Sequence, residues 1–179
     1  MSANFIDFKT KEIPKLRKQF KKLSKNDKEK IFAQWERRVR NFLHSNEEKR
    51  SAKYKNMLNN FASIADFPVC IKSSKGRGWG LFARKEIKQS NKPITLFQIG
   101  TPNLDTLNGK KLRTNPTDVR KLAQFVNEKV QGKHAEDHSN VLLRTHAFQL
   151  CIKMHPDVDK IKRGQELFTH YGNTYYNEI

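Results

Sequence analysis

Apolar positions fall at helical spacing as far as Ile64, and in short runs broken by glycine and proline from Pro68 onward. Ile13, Leu16, Phe20 and Leu23 stand three or four apart, which predicts a short helix. Ser24, with Asp27 three residues later, is a capping-box-like start; Ile31, Phe32, Trp35, Val39, Phe42 and Leu43 then share one stripe and predict a long amphipathic helix. Tyr54, Met57, Leu58 and Phe61 predict a third. The plain use of such stripes is core packing. Beyond Pro68 the period changes. Residues 69–71, 81–83 and 94–99 read as strands, and 141–154 as one or two more. Val119, Leu122, Phe125 and Val126 predict a helix over 117–130, followed by a polar loop over 132–140. The chain is therefore expected to be α+β, with a basic helical segment over 1–65 and a β-rich domain over 66–179.

Charge changes the picture of partners. Of 179 residues 36 are Lys or Arg and 18 Asp or Glu, a formal charge of +18, yet twelve Phe and 36% hydrophobic residues supply a real core. The excess is spread evenly, with 17 basic and 8 acidic residues as far as Asp66. Runs such as Lys15, Arg17, Lys18, Lys21, Lys22 and Arg37, Arg38, Arg40 are either solvated faces or phosphate-neutralising surfaces. Cys70 and Cys151 are the only cysteines, which excludes a multi-disulfide scaffold and a four-cysteine zinc site. His134, His138 and His146, with Cys151 or Asp137, match no zinc spacing, so no metal is expected. No apolar leader or membrane-spanning run is present, and the expectation is a soluble intracellular protein without membrane contact.

Candidate chemistry begins at Ser74-Lys75-Gly76-Arg77-Gly78-Trp79-Gly80-Leu81-Phe82-Ala83-Arg84. Three glycines at alternate positions describe either a tight turn or a backbone that something approaches closely. The segment is neither a Walker loop nor a dinucleotide fingerprint, and the chain has no nucleophile elbow. Phe125-Val126-Asn127-Glu128 in the middle and Ile161 to Gly172 near the end complete a constellation. Taken one at a time, Trp79 reads equally as a core anchor and Asn127-Glu128 as the polar end of a helix.

Together these motifs resemble the SET domain of protein-lysine methyltransferases over roughly residues 66–176. The resemblance implies a SET-like fold of several short curled β-sheets behind the helical amino-terminal segment. It also implies S-adenosylmethionine as cofactor, with S-adenosylhomocysteine as product. Lys-Gly-x-Gly-Trp-Gly is similar to the motif whose backbone holds that cofactor, which assigns Arg77, Gly78 and Trp79 to cofactor binding. Phe125-Val126-Asn127-Glu128 is similar to Phe-Ile-Asn-His, so Asn127 would grip the amino-acid end of the cofactor. Glu128 replaces the histidine; it would bind through its main chain, or pair its carboxylate with Lys129 or a surface arginine. Asn140 matches the asparagine of a Pro-Asn pair, with Ser139 for the proline. Gly164-Gln165-Glu166-Leu167 resembles Gly-Glu-Glu-Leu, and His170-Tyr171-Gly172 resembles Asp-Tyr-Gly.

The catalytic residue implied is Tyr171, whose hydroxyl would hold the lysine ε-amine while a narrow apolar channel favours the neutral amine. Thr169, where the family carries Phe or Tyr, is small and implies room for more than one methyl group. A ring from Phe168, Tyr175 or Tyr176 would otherwise fill the gap. Tyr175 and Tyr176 would wall the channel, stack on adenine or dock on the core. The implied substrate is a lysine-bearing protein such as a histone, in the nucleus or on chromatin, with nucleosomal DNA on the basic surface. Substrate recognition would fall to the amino-terminal helices or to a second copy in a homodimer. The competing expectation is a nucleic-acid or chromatin-binding module on an inactive SET scaffold, favoured by the charge and by Glu128 and His170. The Lys/Asn-rich composition also suits a microbial, parasite or viral effector delivered to a host.

Overall fold

A computed structural model describes residues 3–45, 52–96, 106–107, 110–111, 122–128, 139–146 and 149–170. The chain divides into two compact units between Phe67 and Pro68.

The first unit is helical: α1 (Ile13–Lys22), α2 (Lys25–Ser45) and α3 (Ala52–Ile64), after a 3-10 turn at Thr10–Glu12. Pro14 sits in the first turn of α1, where its missing N–H costs nothing. Ser24 Oγ accepts from Asp27 N–H and donates to the Asp27 carboxylate, so α2 starts on the expected cap. The Ser24 hydroxyl, and more weakly Lys30, hold the Asp27 carboxyl below its ordinary range. The stripes meet in an aromatic core: Phe20, Phe32 and Phe61 pack edge to face at 5.7–6.0 Å, and Trp35 stacks on Phe61 at 4.8 Å. Tyr54 and Val39 are fully buried beside them, and desolvation pushes the Tyr54 phenol far upward. Asp66, at φ 60°, turns the chain out of α3, with Phe67 N–H bonded back to the Ala62 carbonyl. No helix among the described residues is long and apolar enough to cross a membrane.

The second unit consists of small antiparallel sheets. β1 (Val69–Ser74) and β2 (Gly78–Ala83) form a hairpin pairing Val69 with Ala83 and Ser74 with Gly78. β3 (Ile87–Lys88) pairs with β9 (Lys160–Ile161), and the two-residue β5 (Thr106–Leu107) with β6 (Lys110–Lys111). β4 (Thr95–Leu96) joins β8 (Gln149–Met154), which pairs with β7 (Val141–His146). Val69, Ile71, Leu81, Ile152, Ile161 and Leu167 are buried. The architecture is mixed helix and strand.

Two expectations change. The helix over 117–130 is, within the described 122–128, a single 3-10 turn at Ala123–Phe125 followed by extended Val126 and Asn127. Asn127 makes a parallel bridge to Phe168, and that long-range pairing overrides the helical periodicity. The expected strand over 94–99 is β4, of two residues, with 97–99 outside the described residues.

Candidate functional site

The glycine segment separates into two devices. Gly76 and Gly78, at φ 73° and 77°, have open space where a side chain would stand, so they serve the turn between β1 and β2. Close approach occurs at Gly80, and the approaching group is the protein's own. A Cβ there would collide with the Glu166 carboxylate and lie 2.9 Å from Asn127 Nδ2.

Glu166 ties the three motifs together. One carboxylate oxygen accepts from Ser74 Oγ at 2.9 Å and the other from Asn127 Nδ2 at 3.0 Å. Asn127 Nδ2 also donates to the Trp79 carbonyl at 3.1 Å. From the far side, Asn140 clasps the same segment: its Nδ2 donates to the Glu166 carbonyl, and its Oδ1 accepts from Phe168 N–H, both at 2.8 Å. The backbone completes the arrangement. Leu167 N–H bonds Leu81 O, Thr169 N–H bonds Asn127 O, and the Phe168 carbonyl receives the N–H groups of Asn140 and Val141. The extended segment at 166–169 thus bridges to β2 at Phe82 on one side and to Asn127 on the other, where Asn140 also holds it.

Lys129, the expected partner of the Glu128 carboxylate, lies outside the described residues, and Glu128 has a partner that neither motif announces. Its side chain is 4% exposed and contacts His170 Nδ1 at 2.8 Å, while its carbonyl accepts from Arg77 Nε at 3.0 Å. A buried carboxylate needs a polar partner, and a carboxylate open to water does not gain from one in the same measure. Glu128 and His170, two of the positions where the chain departs from the motifs it resembles, are in contact.

The structure brings Arg77, Gly78, Trp79, Asn127, Glu128 and Thr169 into one neighbourhood. Arg77 is exposed in the turn and lies 5.5 Å over the Phe168 ring. The Trp79 ring is half-buried, 6.0 Å from Phe125, so it packs as an anchor while its carbonyl serves Asn127. Thr169 is fully buried and its hydroxyl has no hydrogen-bond partner. Tyr171, Tyr175 and Tyr176 lie outside the described residues, as do His134, Asp137 and His138. Among the described residues no group of three His, Cys, Asp or Glu could hold a metal ion.

Sequence reasoning missed Ser74, the centrality of Glu166 and the Glu128–His170 contact. The legible signal for Glu166 was an acid set directly before the apolar Leu167-Phe168 pair; its partner Ser74 lies 92 residues away, beyond any local pattern. No protein-family model matches the chain, and no curated protein matches it.

Proposed function

We propose that the chain is an S-adenosylmethionine-dependent protein-lysine methyltransferase with a SET-like second unit, acting on a histone or another basic protein. The observation that carries this reading is the convergence on Glu166 of the glycine turn, Asn127 and the 164–170 segment, three motifs far apart in sequence.

The residues present suit the amino-acid end of the cofactor. Both Asn127 Nδ2 bonds are internal, to Trp79 and Glu166, which fixes the amide and leaves Oδ1 as an acceptor for an ammonium group. Arg77, exposed at the turn, supplies a guanidinium for a carboxylate. When bound, S-adenosylmethionine supplies a sulfonium methyl, which passes to the lysine nitrogen as the S–C bond breaks and leaves the thioether S-adenosylhomocysteine. The protein's part is to align a neutral amine and exclude water. Tyr171 would accept that amine through its hydroxyl. The unpaired, fully buried Thr169 hydroxyl is a second oxygen close by in sequence, and satisfying it recovers the penalty of a buried orphan. The Glu128–His170 contact supports the same reading, since the substitutions that seemed to argue for an inactive scaffold meet as one pair.

Calorimetric titration with S-adenosylmethionine and S-adenosylhomocysteine tests the reading. Saturable binding of both, weakened in Asn127→Ala, is expected, together with transfer of a tritiated methyl group to histones that is lost in Tyr171→Phe. Absence of binding by either compound would overturn it.

A further inference from the structure

Helix α1 sorts its cations. Arg17 donates from Nε to the Ser63 carbonyl at 2.6 Å, and Lys21 pairs with Asp66 at 3.1 Å, so two are spent inside the helical unit. Lys15, Lys18 and Lys22 are exposed on the opposite side, and Lys11, in the turn before the helix, continues their line. Their spacing of three and four residues places Lys15, Lys18 and Lys22 on one face of α1, and Lys11 comes four residues before them. Among the described residues none of the four makes an ion pair. The only acid between Thr10 and Lys22 is Glu12, whose carboxylate is held by the Lys9 N–H in its own turn.

We infer that this outward face of α1 is a docking surface for the phosphate backbone of double-stranded nucleic acid. Four like charges without an ion pair, along about 16 Å of chain and offset only by Asp7 and Glu12 beside Lys15, repel one another and gain most from a regular linear polyanion. A duplex, with about one charge per 1.7 Å of axis, provides one. An anionic membrane is the weaker fit. Helices that lie in a membrane surface insert an apolar face, and that of α1 is used up: Leu16 and Phe20 are 5% and 4% exposed in the core. Single strands are gripped by stacking on aromatic rings, and Phe20, the only ring in α1, is buried. The inference does not rest on the methyltransferase reading.

The test is fluorescence anisotropy of a labelled random-sequence DNA duplex with the full chain between 50 and 200 mM salt. Four phosphate contacts give a slope of log affinity against log salt of about −3.6, or roughly a 100-fold loss across that range. Replacing Lys11, Lys15, Lys18 and Lys22 together by Gln, which keeps helix propensity, should remove about that much of the wild-type slope. The corresponding Arg variant should keep it. A control replacing Lys85, Lys88, Lys92 and Lys162 removes the same charge from the second unit and should leave most of the slope intact. The inference is overturned if the control loses as much slope as the α1 variant, if the Gln variant binds like wild type, or if phosphatidylserine vesicles are bound in preference to duplex. Circular dichroism confirms helicity of the variants, and cofactor titration of the Gln variant reads the second unit separately.

Discussion

Replacing Gly80 by alanine tests the arrangement at its tightest point. The new methyl group would collide with the Glu166 carboxylate and sit 2.9 Å from Asn127 Nδ2. Gly80 is not among the glycines with positive φ, so the cost is one of space and not of backbone strain. Glu166 must swing away and give up its bonds from Ser74 Oγ and Asn127 Nδ2. Each hydrogen bond to a charged group is worth about 1.5–3 kcal/mol, and because Glu166 is half-buried the expected total is about 2–4 kcal/mol. At about 1.4 kcal/mol per tenfold, amides protected by opening of this unit should exchange roughly 30- to 1,000-fold faster. Hydrogen exchange read by mass spectrometry on peptides covering β1, β2 and 164–170 measures this for the second unit alone. In a Glu166→Ala background the most severe collision is gone and the Asn127 amide, held only by the Trp79 carbonyl, needs to give by a few tenths of an ångström, so the same glycine change should cost under about 1 kcal/mol. The cycle then gives a coupling of at least about 1 kcal/mol. Additivity to within about 0.5 kcal/mol would refute the claim that Gly80 is glycine because of Glu166.

Asn140→Ala removes both halves of the clasp on half-buried Glu166 and Phe168, so thermal or urea unfolding should show a loss of about 1–3 kcal/mol. Burial pushes the thiols of Cys70 and Cys151 upward, with Lys72 and Arg84 only partly offsetting this for Cys70 and Lys153 for Cys151. Both should therefore react slowly with a thiol-specific disulfide reagent at pH 8 and rapidly in denaturant. The Asp27 carboxyl titrates lower when folded than when unfolded, so its contribution is complete above the ordinary carboxylate range and is lost as pH falls below about 4. The stability difference between wild type and Ser24→Ala should accordingly shrink on acidification from pH 6 to pH 2; a gap that widens would contradict the cap.

The three helices were readable because each buries a stripe set by local spacing: Leu16 and Phe20, Trp35 and Val39, Leu58 and Phe61. The glycine segment was half readable. A turn at Gly76 and Gly78 follows from alternation alone, but Gly80 answers to a carboxylate that arrives 86 residues later. A partner 41 residues further on likewise explains why the expected helix is absent over the described 122–128. Val119, Leu122, Phe125 and Val126 carry the right period, and nothing local announces that Asn127 will lie extended beside Phe168. Glu128 and His170 each looked like a lone departure because the contact between them cannot be seen in either motif.

The order of synthesis gives the extended segment at 166–169 a further meaning. Ser74 leaves the ribosome 92 residues ahead of Glu166, an interval of roughly 5–20 s at ordinary translation rates. Throughout that delay the hairpin has an open flank at Gly80, and the asparagines at 127 and 140, once made, still precede the segment they hold. Assembly of the Glu166 network is therefore a late event, so a nascent chain arrested before residue 164 would bear the glycine turn without the carboxylate that Ser74 and Asn127 hold.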